Sequence, residues 1–329
     1  MTAQLSLNGA CPRAAVFNGG GRITHVHAEP RDPGPGEVRV RLQGCGVCAS
    51  NLPVWEGRPW FRYPLPPGAP GHEGWGVVEA LGEGVTQISE GARVAMVSGN
   101  AYATHDVAPV EAVVQLPPEL NSIPFPGEPL GCVMNIFRRS EILSGQTVAV
   151  IGIGFLGAAL TALAREAGAR VIAISRRSFA LNVAEHYGAS NCIRFDDAAR
   201  ALREARELIG PNGCERVIEA VGTQEALDLA SELAGVRSRL VIAGYHQEGT
   251  RTVNLQRWNW LGLDVINAHE RDPLEYRRGM EDAVRLVRSG RFDPTPLYTH
   301  RFPLDDLGTA FQMLAERPHG FLKALMTCE

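Results

Sequence analysis

The sequence predicts an α/β protein in which a β-rich segment is joined to a doubly wound parallel sheet. Residues 1 to about 120 are rich in glycine and proline and contain short strand patterns, whereas predicted strands and helices alternate after about residue 140. A Gly-x-Gly-x-x-Gly loop lies in the alternating part, between a predicted strand and a predicted helix. The 329 residues are 45% hydrophobic and 21% charged, which is enough chain and enough apolar surface for two domains.

The β-rich part contains three strand patterns. Residues 38–42 alternate apolar and charged side chains, as expected for a half-buried strand. Residues 76–81 and 93–97 are further short strand candidates, and residues 30–36 form a turn-rich connector. Together these elements give this part of the chain its β character.

Strand and helix patterns alternate after the change near residue 140. Short apolar runs such as residues 147–151 suit parallel strands that are buried on both faces. Because strands that alternate with helices form parallel sheets covered on both sides, this part predicts a doubly wound sheet. The predicted strands are residues 147–151, 170–174, 191–195, 216–221, 239–243 and 263–267, with helices at 156–167, 178–187 and 197–208.

The residues after about 270 form a tail that is too short to be a domain of its own. We therefore expect it to pack back on the N-terminal part. The predicted division is a catalytic domain of residues 1–133, joined by residues 270–329, and a dinucleotide-binding domain of residues 134–269. Within the tail, the patterns predict helices at 274–289 and 305–315 and strands at 297–302 and 321–326.

The charged residues exclude several classes of protein. A formal net charge of −4 provides no basic field for nucleic acid or anionic lipid. Of the 32 lysine and arginine residues only Lys323 is a lysine, so a Walker A loop and the Tyr-x-x-x-Lys pair of short-chain dehydrogenases are absent. A Schiff base would require Lys323 itself, in an apolar segment near the C-terminus, and we do not expect one there.

We expect a cytoplasmic protein without a membrane segment. The uncharged stretch at residues 147–164 approaches transmembrane length, but its three glycines favour a buried strand, turn and helix. No leader pattern of a charged start and an apolar stretch opens the chain. An odd number of cysteines favours free or metal-bound thiols over a disulfide framework; the seven are Cys11, Cys45, Cys48, Cys132, Cys192, Cys214 and Cys328.

The glycine-rich loop is a candidate dinucleotide site. Gly152 permits the tight turn, Gly154 lets the backbone approach a pyrophosphate, and Gly157 allows the helix to pack closely on the strand. Phe155 and Leu156 lie between them, where the helix N-terminus offers N–H donors and a positive dipole to an anion. We predict that these five residues bind the cofactor; a plain strand-to-helix turn is the alternative.

The end of the second strand in the alternating part indicates which dinucleotide binds. It reads Ser175-Arg176-Arg177 and lacks the acidic residue that binds the ribose 2′-hydroxyl of NAD. Two guanidinium groups could pair with a 2′-phosphate, so the sequence favours NADP over NAD. The alternative is that both arginines are solvated surface residues.

Residues that follow the fourth and fifth strands should lie at the nicotinamide end of the cofactor. Val221 and Gly222 end the fourth strand pattern and are predicted cofactor contacts. Tyr245 and His246 follow the fifth strand and could contact cofactor or substrate. For Tyr245 the alternative is ordinary packing.

Three further residues are candidate zinc ligands. Cys48 follows a strand in Cys-Gly-Val-Cys-Ala-Ser-Asn, His72 precedes a strand in Gly-His-Glu-Gly, and Cys132 ends Glu-Pro-Leu-Gly-Cys. No two of them are close in sequence, so spacing alone is weak support. Cys45 and Cys48 also form Cys-x-x-Cys, which could be a redox pair or a second metal half-site; without a second such pair, we interpret Cys45 as core packing.

The order of the motifs along the chain resembles that of the zinc-dependent medium-chain dehydrogenases, which include alcohol, sorbitol and threonine dehydrogenases. The motifs are the segments just described, the Val-Glu-Ala-Leu-Gly-Glu-Gly-Val run, the nucleotide loop and the Glu-Ala-Val-Gly strand end. The resemblance covers essentially the whole chain. It implies a GroES-like β domain and a Rossmann domain with the active site in the cleft between them. It also implies a catalytic zinc held by Cys48, His72 and Cys132.

The resemblance assigns roles to two more residues, and this sequence departs from the family pattern at two others. Glu73 matches an acid that can approach or ligate the metal, and Ser50 matches a hydroxyl that hydrogen-bonds the substrate oxygen and passes its proton outward. Asn51 replaces an acid, and Pro53 stands where alcohol dehydrogenases often place a relay histidine. We therefore expect another proton route, such as Ser50 to the cofactor ribose to water. The four-cysteine structural zinc lobe is absent, so we expect one zinc per chain.

The sequence thus predicts a zinc-dependent, NAD(P)-linked dehydrogenase that reversibly oxidises a secondary alcohol, polyol or sugar-type hydroxyl to a ketone. The alternatives are a zinc-free enone or quinone reductase of the same superfamily and a non-catalytic NADP(H)-binding protein. The resemblance suggests a homodimer or homotetramer, joined at the sheet edge near residues 263–269. From the charge and composition we expect no nucleic acid or membrane partner. Pocket candidates are Trp55, Trp60 and Phe61, and Trp258 and Trp260 could line the pocket or a subunit interface.

Overall fold

The computed structural model describes residues 11–247 and 249–328. Residues 1–10 of the predicted first domain and Glu329 at the end of the tail lie outside the described residues, as does Glu248. In chain order the strands are β1 (Arg13–Phe17), β2 (Ile23–His27), β3 (Glu37–Val47), β4 (Gly74–Leu81), β5 (Arg93–Met96), β6 (His105–Pro109), β7 (Val113–Gln115), β8 (Thr147–Ile151), β9 (Arg170–Ser175), β10 (Asn191–Arg194), β11 (Cys214–Glu219), β12 (Ala234–Ile242), β13 (Asp264–Asn267), β14 (His300–Pro303) and β15 (Ala324–Thr327).

The five helices predicted in the second half of the chain are present, each within about two residues of its predicted bounds. Four helices of the described residues were not predicted: the short one directly after Asn51, and those at Gly127–Ser140, Gln224–Leu233 and Leu255–Leu261. The helices are α1 (Leu52–Glu56), α2 (Gly127–Ser140), α3 (Phe155–Glu166), α4 (Ser178–His186), α5 (Ala198–Ile209), α6 (Gln224–Leu233), α7 (Leu255–Leu261), α8 (Pro273–Arg288) and α9 (Leu307–Glu316).

The first sheet has seven strands in the order β14-β15-β3-β4-β5-β7, with β6 also paired to β3. Its long central strand β3 buries Val38, Val40 and Leu42 and exposes Arg41 between them, which is the predicted alternation of a half-buried strand. The pairing of β3 with β4, β6 and β15 is antiparallel. This β-rich part therefore forms the seven-stranded sheet and a separate antiparallel pair, β1 with β2, and both contribute to one apolar core.

The second sheet has six parallel strands in the order β10-β9-β8-β11-β12-β13. The chain leaves β8 in one direction and returns to place β11 on its other side, so the strand order reverses between β8 and β11. In such sheets ligands bind outside the carboxyl ends of the strands at this reversal. The predicted doubly wound parallel sheet is confirmed.

The tail returns to the first sheet. Strand β15 pairs with β3, β14 pairs with β15, and α8 packs on α2. The strand predicted at residues 297–302 begins later than expected, because Thr295–Leu297 form a 3-10 turn with a proline at its start. Proline fixes a φ angle that suits the first helical turn and lacks the N–H that a strand ladder uses. The exact domain limits remain a prediction.

The stretch at residues 147–164 folds as β8, the glycine-rich loop and most of α3. Among the described residues, none of the helices has both the length and the apolar character needed to cross a membrane.

Candidate active site

The glycine-rich loop joins β8 to α3 at the reversal of strand order. Gly152 has a φ of 94°, a left-handed conformation that favours glycine. A Cβ on Gly157 would lie 1.9 Å from the carbonyl oxygen of Gly152, so helix and loop touch there. A Cβ on Gly154 would meet no atom within 4 Å, and no side chain caps α3. The helix N-terminus is thus open to an anion, while Phe155 and Leu156 form its first turn.

The predicted 2′-phosphate residues lie at the end of β9 and are engaged by protein groups. Ser175 is buried, and its hydroxyl accepts a hydrogen bond from the backbone N–H of Arg177. Arg176 forms an ion pair with Glu225 and lies over the ring of Phe195, 5.6 Å from its centroid. Arg177 instead donates to two backbone carbonyls, those of Phe321 and Ile153.

Glu219 organises the nicotinamide end of the sheet, a role that we did not predict. Its buried carboxylate accepts hydrogen bonds from the backbone N–H groups of Val221, at 2.7 Å, and Gly222, at 2.8 Å. Its second oxygen accepts from Nε2 of His246 at 3.0 Å, and Nδ1 of His246 accepts from Arg251. These bonds fix the turns that follow β11 and β12. The position of Glu219, an acid that ends an otherwise apolar strand, was the sequence feature that could have indicated this role.

Tyr245 is 57% exposed and stacks on the ring of His269, with 5.6 Å between ring centroids. The two rings follow the adjacent strands β12 and β13 at their carboxyl ends. Tyr245 therefore lies at the carboxyl end of the parallel sheet, and its ring is partly exposed to solvent.

A cluster of candidate metal ligands lies at the edge of the first sheet. The ligating atoms of Cys48, His72 and Glu73 all lie within 4.8 Å of one another. The register explains the meeting: Cys45 near the end of β3 lies opposite Gly74 at the start of antiparallel β4. The residues just after β3 and just before β4 are therefore neighbours in space.

His72 is oriented by the backbone. Its Nδ1 donates to the carbonyl of Pro70 at 3.0 Å, which leaves Nε2 to face Cys48. The same carbonyl accepts from Nδ2 of Asn51, which also donates to the hydroxyl of Tyr102. Burial lowers the pKa of His72, but the hydrogen bond and charge of Cys48 outweigh it and raise that pKa to about 10. The carbonyl of Pro70 thus orients the imidazole, and the side chain of Asn51 holds the same carbonyl.

Cys132 lies outside this group of three. It projects from α2, and its thiol donates to a carboxylate oxygen of Glu128 at 3.2 Å, one helical turn earlier. Burial raises the pKa of Cys132 well above its ordinary value, and the charge of Glu128 adds to this. Burial also raises the pKa of Glu128, while the charge of His72 opposes it. The structure therefore brings a second candidate ligand, Glu128, to the predicted third-ligand position; its i, i+4 spacing from Cys132 has meaning only because this segment is the helix α2.

The one lysine of the chain is part of the site. Nζ of Lys323 lies 2.7 and 2.5 Å from the two carboxylate oxygens of Glu73, and the two side chains are 7% and 1% exposed. The pairing of β15 with β3 places Ala324 opposite Val47, so Lys323 lies beside Cys48. Its ammonium also lies 5.4 Å from the ring centroid of Phe155 in the nucleotide loop. The sequence excluded a Schiff base but gave no reason to place this lysine against Glu73.

The remaining predicted residues divide between site and scaffold. The hydroxyl of Ser50 donates to the sulfur of Cys48 at 3.2 Å, so it lies at the cluster. Trp55 stacks on Phe311, and Trp60 is 59% exposed beside Phe61. Three others lie elsewhere: Cys45 is fully buried in the first core, Trp258 donates to Ser231, and Trp260 is 87% exposed.

The cluster and the nucleotide loop are adjacent, because Lys323 touches both Glu73 and Phe155. A sulfur and imidazole cluster beside a dinucleotide loop in a doubly wound sheet is the arrangement of an NAD(P)-linked oxidoreductase. Comparison with known families makes this specific. Residues 156–285 match the family Zinc-binding dehydrogenase, and residues 34–118 match the Alcohol dehydrogenase GroES-like domain. The chain belongs to the zinc-dependent medium-chain dehydrogenases, which confirms the resemblance.

Curated relatives match the chain over nearly its whole length. A 2-dehydro-3-deoxy-L-galactonate 5-dehydrogenase from Pseudoalteromonas atlantica is 25% identical over 96% of this chain and 98% of its own. An alcohol dehydrogenase from Cupriavidus necator is 28% identical over 95% of this chain and 98% of its own.

Solved structures share the fold. A 2R,3R-butanediol dehydrogenase from Bacillus subtilis superposes with a TM-score of 0.82 at 24% identity, covering 97% of this chain and 100% of that chain. A zinc-binding dehydrogenase from Sinorhizobium meliloti 1021, bound to NADP, gives the same TM-score, identity and coverage. At this identity the likeness shows a common architecture.

Proposed function

We propose that this chain reversibly oxidises a secondary hydroxyl group of an alcohol, polyol or sugar-type substrate to a ketone, with one catalytic zinc per chain and with NADP as the preferred cofactor. The observation that carries the proposal is the meeting of Cys48, His72 and Glu73 beside the glycine-rich loop. The dehydrogenase and alcohol dehydrogenase names of the curated relatives support the reaction class.

The donor set fits zinc. Sulfur and imidazole ligands suit zinc better than hard cations such as magnesium or calcium. The hydrogen bond from Nδ1 of His72 to Pro70 leaves Nε2 free for a metal. Cys48 and His72 would hold the ion together with a third ligand from α2, either Cys132 as the resemblance implies or Glu128. When bound, zinc supplies Lewis-acid catalysis, which favours the deprotonated form of a substrate hydroxyl.

The loop fits a dinucleotide. The uncapped start of α3 and the open space at Gly154 leave room for a pyrophosphate, and Gly157 keeps the helix close to the strand. Val221, Gly222 and Tyr245 would lie along the nicotinamide half. A nicotinamide cofactor held there would supply the hydride acceptor for this oxidation. NADP is favoured over NAD because Arg176 and Arg177 follow β9 where an acid would bind the ribose of NAD.

The chain's own residues orient the substrate and move its proton. Ser50 lies next to Cys48, so its hydroxyl can accept the proton of a substrate oxygen at the metal position. Pro53 lies in the first turn of α1 and cannot pass that proton on. The proton would therefore leave through the hydroxyl of Ser50 and pass on to water. Glu73 is held by Lys323 and stays paired rather than acting as the base.

Ser50→Ala tests this route. We expect turnover to fall by about 10²- to 10⁴-fold, because a positioned proton acceptor contributes about that factor, while zinc content stays unchanged. Steady-state kinetics and elemental analysis of the same preparation measure both. Ser50→Thr keeps the hydroxyl and should keep much of the activity. Turnover near that of the wild type in Ser50→Ala would reject the role.

The substrate class and the metal are tested together. Alcohols, polyols and sugars are screened with NADP and NAD by following absorbance of the reduced nicotinamide, and zinc per chain is measured. We expect oxidation of a secondary hydroxyl, lower KM for NADP and one zinc. Two zinc ions per chain, or activity on enones in protein without metal, would contradict the proposal. Reduced cofactor bound without turnover on any substrate would support a non-catalytic protein.

We also propose a homodimer or homotetramer and a reducing compartment such as the cytoplasm. Strand β13 pairs only with β12 among the described strands, and α7, which contacts β12, presents Leu255 and Trp260 at 68% and 87% exposure. An open strand edge with apolar neighbours favours a second copy. Light scattering should give twice or four times the chain mass, and Trp260→Glu should lower it; a wild-type monomer would contradict this.

The seven free cysteines fit a reducing compartment.

A further inference from the structure

A closed ring of hydrogen bonds joins a buried acid to an arginine at the carboxyl ends of β11 and β12. Glu219 ends β11 and is fully buried, and Oε1 of its carboxylate accepts from the backbone N–H groups of Val221 and Gly222. Its Oε2 lies 3.0 Å from Nε2 of His246, and Nδ1 of His246 lies 3.1 Å from Nε of Arg251. Arg251 also donates to the carbonyl of Gly222 at 3.1 Å, which closes the ring.

The donors and acceptors of this ring allow only one direction for its hydrogen bonds. A guanidinium group can only donate, so Nδ1 of His246 must accept the bond from Arg251. The proton of the neutral imidazole is then on Nε2, which donates it to Glu219. Both oxygens of Glu219 therefore act as acceptors, and Arg251 balances the buried carboxylate through the imidazole. His246 is thus committed to Glu219 on one side and to Arg251 on the other.

The ring ties together two turns that have no room for side chains between them. A Cβ on Gly222, in the turn after β11, would lie 2.7 Å from the carbonyl oxygen of Tyr245, in the turn after β12. A Cβ on Gly244 would lie 2.3 Å from the backbone nitrogen of Gly222. The N–H groups of Ala243 and Gly244 both donate to the backbone carbonyl of Glu219 at 2.8 Å. The two turns are therefore attached to each other and to Glu219.

The turn after β11 also lies against the glycine-rich loop. A Cβ on Gly152 would lie 2.4 Å from Cγ2 of Val221 and 3.0 Å from the carbonyl oxygen of Ala220. The loop has an anchor of its own, because the N–H of Gly152 donates to the carbonyl of Ile174 in β9 at 2.8 Å. Loss of the ring should therefore disturb the turns after β11 and β12 and leave the loop in place.

We propose that His246 and Arg251 are positioning residues for the nicotinamide half of the cofactor, which they serve by holding Glu219 in the orientation that fixes the turns after β11 and β12. This deepens the proposed function and rests on it. A buried carboxylate that loses a donor must find another partner or water, so it gives up its fixed orientation. The nicotinamide ring would then meet turns without a common anchor, while the pyrophosphate keeps the start of α3.

A matched pair of variants at His246 tests the proposal. His246→Leu removes both hydrogen bonds of the imidazole, whereas the amide of His246→Gln keeps one donor and one acceptor. Binding of NADPH and NADH is measured by nicotinamide fluorescence, which does not depend on turnover. Binding of ADP-ribose and its 2′-phosphate, which lack the nicotinamide ring, is measured by calorimetry.

We expect a selective loss in His246→Leu. The Kd for the preferred dinucleotide should rise about tenfold or more, as for loss of a charged hydrogen bond, while the Kd for the matching ring-free fragment stays within about twofold. His246→Gln should bind both as the wild type does. His186→Leu, at an exposed histidine of α4, is the matched control and should change neither Kd.

Glu219→Gln provides an independent variant that keeps the size of the side chain. Its amide N–H would face the Nε2–H of His246, donor against donor, so it should weaken the dinucleotide in the same selective way even where His246→Leu does not fold. Equal losses for dinucleotide and fragment, or no loss in either variant, would overturn the positioning role and leave the proposed function intact. A loss in His246→Gln as large as that in His246→Leu would also overturn it. Binding of neither dinucleotide by the wild type would overturn the proposed function itself.

Discussion

Replacing Lys323 by methionine will lower the free energy of unfolding by about 3–5 kcal/mol, because it leaves the carboxylate of Glu73 buried without its partner. The pair is almost fully buried, with side-chain exposures of 7% for Lys323 and 1% for Glu73. Methionine keeps the length and apolar stem of lysine, so packing against Phe155 changes little. Urea unfolding followed by circular dichroism measures the effect.

The double variant separates the charge from the packing. Glu73→Leu alone should destabilise the protein as Lys323→Met does, because it leaves an unpaired ammonium group. The double variant Glu73→Leu, Lys323→Met removes both charges and should recover most of the lost stability, since apolar pairs of similar volume replace buried ion pairs at little cost. Arg301→Met, at an exposed position, should leave the unfolding midpoint unchanged. A Lys323→Met variant as stable as the wild type would mean that water solvates Glu73.

Cys48→Ala will remove the metal and nearly all activity. The cluster loses its one sulfur among three donors within 4.8 Å, and zinc needs that thiolate. Lewis-acid catalysis contributes several kcal/mol to such a reaction, so turnover should fall by about 10³-fold or more. Elemental analysis and steady-state kinetics measure the two effects.

Cys45→Ala is the matched control, three residues earlier in the same segment. Cys45 is fully buried in the first core, with its thiol directed to the carbonyl of Gly46. We expect this variant to keep its zinc and its turnover and to lose only some stability. If Cys48→Ala still held one zinc per chain, or if Cys45→Ala lost it, the ligand assignment would be wrong.

Local sequence patterns predicted most of the fold. The apolar run at β8, the glycines after it and the alternation at β3 depend on neighbours within a few residues, so they can be seen in the sequence. The start of β14 was misplaced because the proline-led turn at Thr295–Leu297 overrode the strand pattern.

The candidate site was predicted only in part. Cys48 and His72 could be chosen from their segments, yet Glu128 was overlooked because it was considered only as the neighbour of Cys132. Both face the site from one side of α2, which is visible only once the helix is placed. Arg177 was predicted as a cofactor contact, and that role stays a prediction; the structure adds that its guanidinium group donates to the carbonyls of Phe321 and Ile153, which the sequence did not indicate.

The sequence by itself determined the class of protein: the local periodicities and the glycine-rich loop predicted the doubly wound sheet with its nucleotide site, and the order of the motifs resembles the zinc-dependent medium-chain dehydrogenases. The tertiary structure decided which charges meet. Glu73 and Lys323 are 250 residues apart in the chain, and only the pairing of β15 with β3 brings them together. Whether a buried charge is stable depends on the distance to its partner in space, and separation along the chain does not encode that distance.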